Sequence, residues 1–329
     1  MVSTEDLAGL PLLAGLPEAE LAQVASFMTR MEAPAGTRLF SEGEQDERLC
    51  VINEGRVKAT IRLPQGGERT VAELGKGDTM GEIALLAGGR RAATITTLAR
   101  TSGWLIDAQA FEMLRLDPRP GAITLLRRLG DLALSRLRSK YDWVASELGG
   151  QPEELDEPVS PGEPAPQGLL ALEYLASLIC FARFERPAYV EEVIRSVPTR
   201  AMARGDLVLR EHASPEALLL VARGAIEVTI RHTAAARRVR LAGPGRFIGH
   251  AGVLDDGPRP VVARARERSV LFEFPRGRVL ELLDDPSPAG RRFASAVYED
   301  VARAVREAER PLARTVIAGG ARRPLQSTS

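Results

Sequence analysis

Apolar and polar residues alternate in short runs between residues 37 and 107. "TRLFSEGE", "RLCVINEGRVKATIRL", "PQGGERTVAEL" and "AATITTLARTSGWLID" each carry the period of two that predicts a half-buried strand. Glycines at 43, 55, 66, 67, 75 and 77 fall where such strands must reverse. On either side the period lengthens. "PEAELAQVASFM" predicts a helix before the strands. From Pro120 to Leu148 a second is predicted by Leu125, Leu126, Leu129, Leu132, Ala133, Leu137, Tyr141 and Val144 at helical spacing. The order then repeats. "LVLREHASPEALLLVARGAIEVTIRH" matches "RLFSEGEQDERLCVINEGRVKATIRL" in its alternation, and "GRRFASAVYEDVARAVREAE" closes the second half with Phe293, Val297, Val301 and Val305 four residues apart. An internal repeat of roughly 120 to 150 residues follows, far longer than a solenoid period.

Between the halves, "GGQPEELDEPVSPGEPAPQG" replaces every apolar period with proline, glycine and acidic residues, which predicts a linker. The expected organisation is a first domain over residues 1–148, a linker over 149–167, a second domain over 168–310 and a flexible tail over 311–329. The expected fold class is mainly β with flanking α: two tandem β-rolls of jelly-roll type, each closed by a long C-terminal helix. A chain of 329 residues with 44% hydrophobic content is long enough to bury two cores.

Composition narrows the class. No basic start followed by an apolar run opens the chain, and the most apolar window, "LLALEYLASLICFA", is short and contains Glu173. A cytoplasmic protein without a membrane span is therefore expected. Cys50 and Cys180 do not pair with His212, His232 or His250 at any metal-ligand spacing, so reduced thiols and no metal site are expected. Net charge is zero, yet residues 1–167 hold 18 Arg/Lys against 25 Asp/Glu and residues 168–329 hold 26 against 19. That asymmetry predicts mutual attraction of the halves. Dispersed arginines such as Arg210, Arg223, Arg231, Arg237, Arg238 and Arg240 read as solvated strand faces rather than a nucleic-acid patch.

The chemistry concentrates in "GEIALLAGGRRAAT", residues 81–94, where Glu82 and Arg91 stand among small and apolar residues. A short helical turn there can aim backbone N–H groups at an anion, with Ala84, Ala92 and Ala93 letting the backbone approach. Arg91 supplies charge and a fork of donors. The carboxylate of Glu82 cannot face the same phosphate, so it must accept from another part of the ligand, and a ribose hydroxyl is the natural candidate. Together they describe a nucleotide monophosphate. The competing reading is an ordinary Glu82–Arg91 ion pair on a scaffold without ligand, whose desolvation makes it weak evidence for stability.

These residues resemble a known family, the cyclic nucleotide-binding domains shared by the regulatory subunit of cAMP-dependent protein kinase and the catabolite-activator class of transcription factors. The family's phosphate-binding cassette reads F-G-E-x-A-L-x-x-x-x-x-R-A-A, and "MGEIALLAGGRRAA", Met80 to Ala93, matches it with Met in place of the leading Phe. The resemblance runs through the whole first half. It implies a site built from Gly81, Glu82, Ile83, Ala84, Arg91, Ala92 and Ala93. Glu82 would take the ribose 2'-hydroxyl, Arg91 the cyclic phosphate, and the amides near Ala84 and Ala92 the remaining phosphate oxygens. A hydroxyl directly after the phosphate arginine often accompanies cGMP preference in the family. Ala92 stands there, so cAMP is expected over cGMP. Family members cap the base from the closing helix, here with Arg136, Arg138, Tyr141 and Trp143 all open as candidates. Arg90 stands where the family usually has proline and reads as a solvated side chain.

The second half is similar to the same family but departs from its pattern. "FIGHAGVLDDGPRPVV" keeps Gly249, Pro258 and Arg259, while His250 stands where the glutamate belongs and Gly252 where an alanine belongs. A degenerate domain is expected, with Gly249, His250 and Arg259 as a weak second site. No nucleophile or carboxylate spacing supports catalysis by His250, and no metal or base constellation supports phosphodiester hydrolysis, so no enzyme is expected. "RPLARTVIAGGARRPLQSTS" is too short for a DNA-reading module, and no dimerisation or pseudosubstrate segment precedes the first domain. The expected function is a cytoplasmic cyclic-nucleotide receptor that signals through an unidentified protein partner. The alternative is a ligand-independent scaffold that reuses the fold. The apolar stripe of either closing helix can pair within the chain or make a homodimer.

Overall fold

The computed structural model describes residues 4–63, 66–152, 157–165, 170–214 and 216–318. The chain divides into two compact units, Met1–Leu129 with Ala313–Ser329, and Gly130–Leu312. Each is built from two antiparallel sheets.

In the first unit one sheet runs Thr29–Ala33, Thr101–Ile106, Leu49–Glu54, Thr79–Met80. The other runs Arg38–Phe40, Thr94–Thr97, Val57–Arg62, Glu68–Leu74. Their inner faces meet in a core of Phe40, Cys50, Ile52, Val57, Ala59, Met80 and Ile95. Alternation sends these residues inward and their neighbours outward. The strand Thr29–Ala33 lies ahead of the segment whose pattern predicts strands; four of its five residues are at least partly exposed, so its apolar signal is faint.

The second unit repeats the order. Arg246–Ile248, Ala217–Arg223, Ser269–Pro275 and Thr199–Met202 form one sheet. Leu207–Leu209, Val262–Ala265, Ile226–Arg231 and Ala236–Ala242 form the other. Register irregularities recur at matching places: Arg38/Phe40 with Leu207/Leu209, Ile52/Glu54 with Val221/Arg223, and Ala59/Thr60 with Val228/Thr229. Since a bulge re-aims every side chain beyond it, three shared bulges mean the two halves use one plan down to side-chain direction.

Two long helices complete the architecture. Pro120–Leu148 has the predicted bounds, and Leu125, Leu126, Leu129, Ala133, Leu137, Tyr141 and Val144 are buried along it. It is one continuous element whose residues from Gly130 onward belong to the second unit. Pro288–Ala318 buries Phe293, Val297, Val301 and Val305, and it continues as helix into the stretch read as a tail. The stretch read as a linker is also partly structured: Glu163–Pro164 adds a short strand against Thr199–Met202, and the Ser160 amide donates to the Leu207 carbonyl at 2.8 Å. Of that stretch, residues 153–156 and 166–167 lie outside the described residues, as do the last eleven residues of the tail. Among the described residues no helix is long and apolar enough to cross a membrane, and no cluster of three metal-ligating side chains occurs.

Candidate functional site

The first cassette begins on a sharp turn. Gly81 has φ 92°, and the helix Glu82–Ala87 starts directly after it. A Cβ on Gly81 would lie 2.2 Å from Arg91 Nη1 and 2.3 Å from the Arg48 carbonyl, so the position admits only glycine on two grounds, conformation and space. The strand and helix on either side of that turn bury Met80, Glu82, Ala84, Leu85 and Leu86. Glu82 is thus a carboxylate held out of water.

Arg91 lies in the loop between that helix and the strand Thr94–Thr97. Its backbone is fixed from both sides, by its amide to the Glu44 carbonyl and its carbonyl from the Gly43 amide, each at 2.9 Å. The guanidinium is 5% exposed and sits over the Phe40 ring, 3.7 Å from its centroid. Nη2 donates to the Arg48 carbonyl at 2.6 Å and pairs with Asp46 Oδ1 at 3.0 Å. Nε and Nη1 are buried and have no hydrogen-bond partner. Burial lowers the arginine's pKa, opposed by Asp46 and more weakly by Glu82. Burial also works to raise the Asp46 carboxyl, but hydrogen bonds from Arg48 and the charge of Arg91 outweigh it and hold that group below its ordinary value. The site therefore contains a desolvated cation with two idle donors, which is the donor set an oxyanion completes.

The sequence reading did not find Asp46, Arg48 and Phe40. Their signal, an acid, a base and an aromatic in "LFSEGEQDERL", is ordinary turn and strand composition. Arg90 is exposed as expected, and its Nη1 also donates to the Gly43 carbonyl at 2.6 Å. Ala92 is exposed, and Ile83 and Ala93 are half-buried. Arg136, Arg138, Tyr141 and Trp143 all lie in the second unit.

The second cassette repeats the frame with different chemistry. Gly249 has φ 90°, and the helical turn after it is broken at Ala251 and Gly252. Arg259 is 5% exposed and donates Nη2 to the Ala217 carbonyl at 3.1 Å, with Nε buried and unpartnered. A Cβ on Gly249 would stand 3.7 Å from Arg259 Nη1, against 2.2 Å for the corresponding pair in the first cassette, so this arginine sits back from its turn. His250, in the glutamate's place, is buried with Nε2 3.2 Å from Asp300 Oδ2. Asp300 also accepts Arg240 Nη2 at 2.8 Å on both oxygens and the Phe247 amide at 3.0 Å. Arg246 and Glu307 extend the network, with Arg246 Nη2 donating to Glu307 at 2.7 Å. Asp255, in the loop after that turn, accepts the Gly252 amide at 2.7 Å and Arg138 Nη2 at 2.8 Å.

The family model described as the cyclic nucleotide-binding domain matches residues 30–117 and 199–285. An uncharacterized NTE family protein of Mycobacterium tuberculosis is 31% identical over 34% of this chain and 19% of its own length. A CRP-like cAMP-activated global transcriptional regulator of the same species is 29% identical over 45% of this chain and 66% of its own. The chain thus spans a fifth of the first relative's length and under two thirds of the second's. Among solved structures, the regulatory domain of Toxoplasma gondii PKA with cAMP is 19% identical, over 86% of this chain and 92% of that one, with a TM-score of 0.32.

Proposed function

The chain belongs to the cyclic nucleotide-binding domain family, and from that premise we propose that it is a receptor for cAMP whose working site is the first cassette. The observation that carries this reading is the pair of buried, unpartnered donors on Arg91, beside a turn that only glycine can make. An unmade hydrogen bond on a buried charged group costs more than its net worth once made, so a site that keeps two of them is built for a ligand that completes them. The cyclic phosphate meets Arg91, and Glu82 takes the ribose 2'-hydroxyl. Gly81, Ile83, Ala84, Ala92 and Ala93 supply close backbone approach. The absence of a hydroxyl at Ala92 favours cAMP over cGMP, in keeping with the cAMP-activated relative. Domain limits near residue 148 and residue 168 stay part of this proposal. Output passes to a protein partner through the helix Pro120–Leu148, in a cytoplasmic setting and without catalysis by this chain.

Calorimetry of the full chain with cAMP and with cGMP tests the reading. Saturable heat with cAMP at lower concentration than with cGMP is expected. Silence with both at millimolar concentration would replace it with the ligand-independent scaffold.

A further inference from the structure

Arg259 borders two spaces. One lies beside Gly249 and His250, is walled by Leu137 and Tyr141, and measures about 20 Å³, room for one water. The other measures about 390 Å³, within the range of small-molecule sites. The two share only Leu209 and Arg259, so none of Gly249, His250 and Ala251 lines the larger one. Strand register shows why the second unit is hollow here and the first is packed. Phe40 pairs with Ile95, and the corresponding pair is Leu209 with Ala263. Met31 and Leu105, packed against the first core, correspond to Arg200 and Glu273. Met31 faces Gly103 as Arg200 faces Leu271, and Leu105 faces Cys50 as Glu273 faces Leu219. Two apolar side chains have become an ion pair, with Arg200 Nε donating to Glu273 at 2.8 Å, and the ring that covers Arg91 has become a leucine.

The floor of the larger cavity is aliphatic and buried: Met202, Val208, Leu219 and Leu271. Exposed Ser214 and Glu216 line its outer end. Pro158 and Val159, in the stretch read as a linker, close one side, held by the Ser160 amide on the Leu207 carbonyl. Arg259 is the charged group at the buried end. It is 5% exposed, its Nε has no partner, and among the described residues its one hydrogen bond goes to a neutral carbonyl, that of Ala217. Around the cavity Arg200, Arg210 and Arg259 stand against Glu216 and Glu273, one positive charge in excess.

We propose that this cavity is a binding site for a small aliphatic carboxylate, separate from the nucleotide site of either cassette. The carboxylate meets Arg259, whose planar fork suits two coplanar oxygens, and the hydrocarbon body lies on the aliphatic floor. One excess charge matches a monoanion. The backbone N–H groups that a helical turn offers a phosphate are absent from the lining, which favours the carboxylate further. The inference does not depend on nucleotide binding by the first cassette.

The test titrates the full chain by calorimetry with hexanoate, 4-methylpentanoate and cyclohexanecarboxylate, each beside its uncharged amide. Saturable binding of at least one carboxylate is expected, about tenfold or more tighter than its amide, because the amide cannot offer a charge to Arg259. Saturating cAMP should not displace it. Leu209→Phe, which restores the ring that the first unit has at this position, should fill the cavity and weaken binding by about tenfold or more, and Arg259→Gln should do the same. Four results would overturn the proposal: no saturable binding of any of the three carboxylates, equal binding of acid and amide, displacement by cAMP, or unchanged affinity in a folded Leu209→Phe chain. The amide and cAMP arms need no variant, so they decide the question even where a substituted chain fails to fold.

Discussion

At the scale of single residues, the first cassette rests on Arg91. Its fork is half used by protein, by the Arg48 carbonyl and Asp46, and half idle. Arg91→Ala should cost about 2 to 5 kcal/mol of cAMP affinity, because it leaves a desolvated phosphate without its charged partner. Unchanged affinity with a normal melting curve would place the phosphate elsewhere. Glu82 has the narrower task of meeting a neutral hydroxyl, so Glu82→Gln should weaken cAMP less, and 2'-deoxy-cAMP should lose its disadvantage on that background. A double-mutant cycle between side chain and hydroxyl reads this directly; simple additivity would exclude the contact. Glu82 and Arg91 stand out in sequence because two opposite charges interrupt an apolar run. Asp46 does not, since an acid in a polar turn looks like every other acid in a polar turn until folding sets it against Arg91.

At the scale of elements, periodicity carried far. The bounds of Pro120–Leu148 and the inward stripe of Pro288–Ala318 follow from spacing alone, because a helix with one apolar face writes its period on many residues. Thr29–Ala33 and Glu163–Pro164 were not legible, being short, largely exposed strands held by backbone pairing rather than by burial. Sequence also gives no sign of where a helix is crossed at close range. Gly130 is such a place: a Cβ there would fall 2.0 Å from the ring of Tyr298, which is itself buried. Alanine gains about 1 kcal/mol in helix propensity over glycine, while overpacking against a confined ring costs about 1 to 3 kcal/mol. Gly130→Ala should therefore lower the urea midpoint, and a raised midpoint would show that the ring can move aside.

At the scale of the whole molecule, the second unit contains a charge cluster that balances: buried Arg240 and Asp300 with the partly exposed Arg246 and Glu307. Burial alone would raise Asp300, but Arg240 outweighs it and holds the carboxyl below the ordinary range. Its contribution to stability is fully present above the unfolded carboxylate value of about 3.9 and is lost as pH falls through the folded one. Burial lowers His250 below its ordinary value, against the opposing pull of Asp300, so the folded chain takes up the imidazole proton at lower pH than the unfolded chain does. The unfolded chain takes up that proton below about pH 6.5, and stability declines from there downward. Urea midpoints should thus fall between pH 7 and 5 and again below pH 4, and His250→Gln should remove much of the first drop. Asp300→Asn should cost about 3 to 5 kcal/mol at pH 7, since it leaves Arg240 and Arg246 to share the single carboxylate of Glu307. The two-domain plan was visible as a repeat, and so was the loss of the second carboxylate. That His250 takes the carboxylate's place was legible too, but its neighbour Asp300 was not, because the two are 50 residues apart and only the closing helix brings them together.

The helix that spans the boundary also sets a schedule for biosynthesis. Tyr141 is made 109 residues before His250. At the usual pace of translation that interval is roughly 5 to 20 seconds. For that time Leu137 and Tyr141 have no cassette to pack against, although the first set of strands is already complete. The nascent chain therefore holds an amphipathic helix with an uncovered apolar face, a surface that chaperones bind and that neighbouring nascent chains on a polysome can share. Slowing translation between residues 148 and 250 would lengthen that window, and the yield of native protein should fall with it.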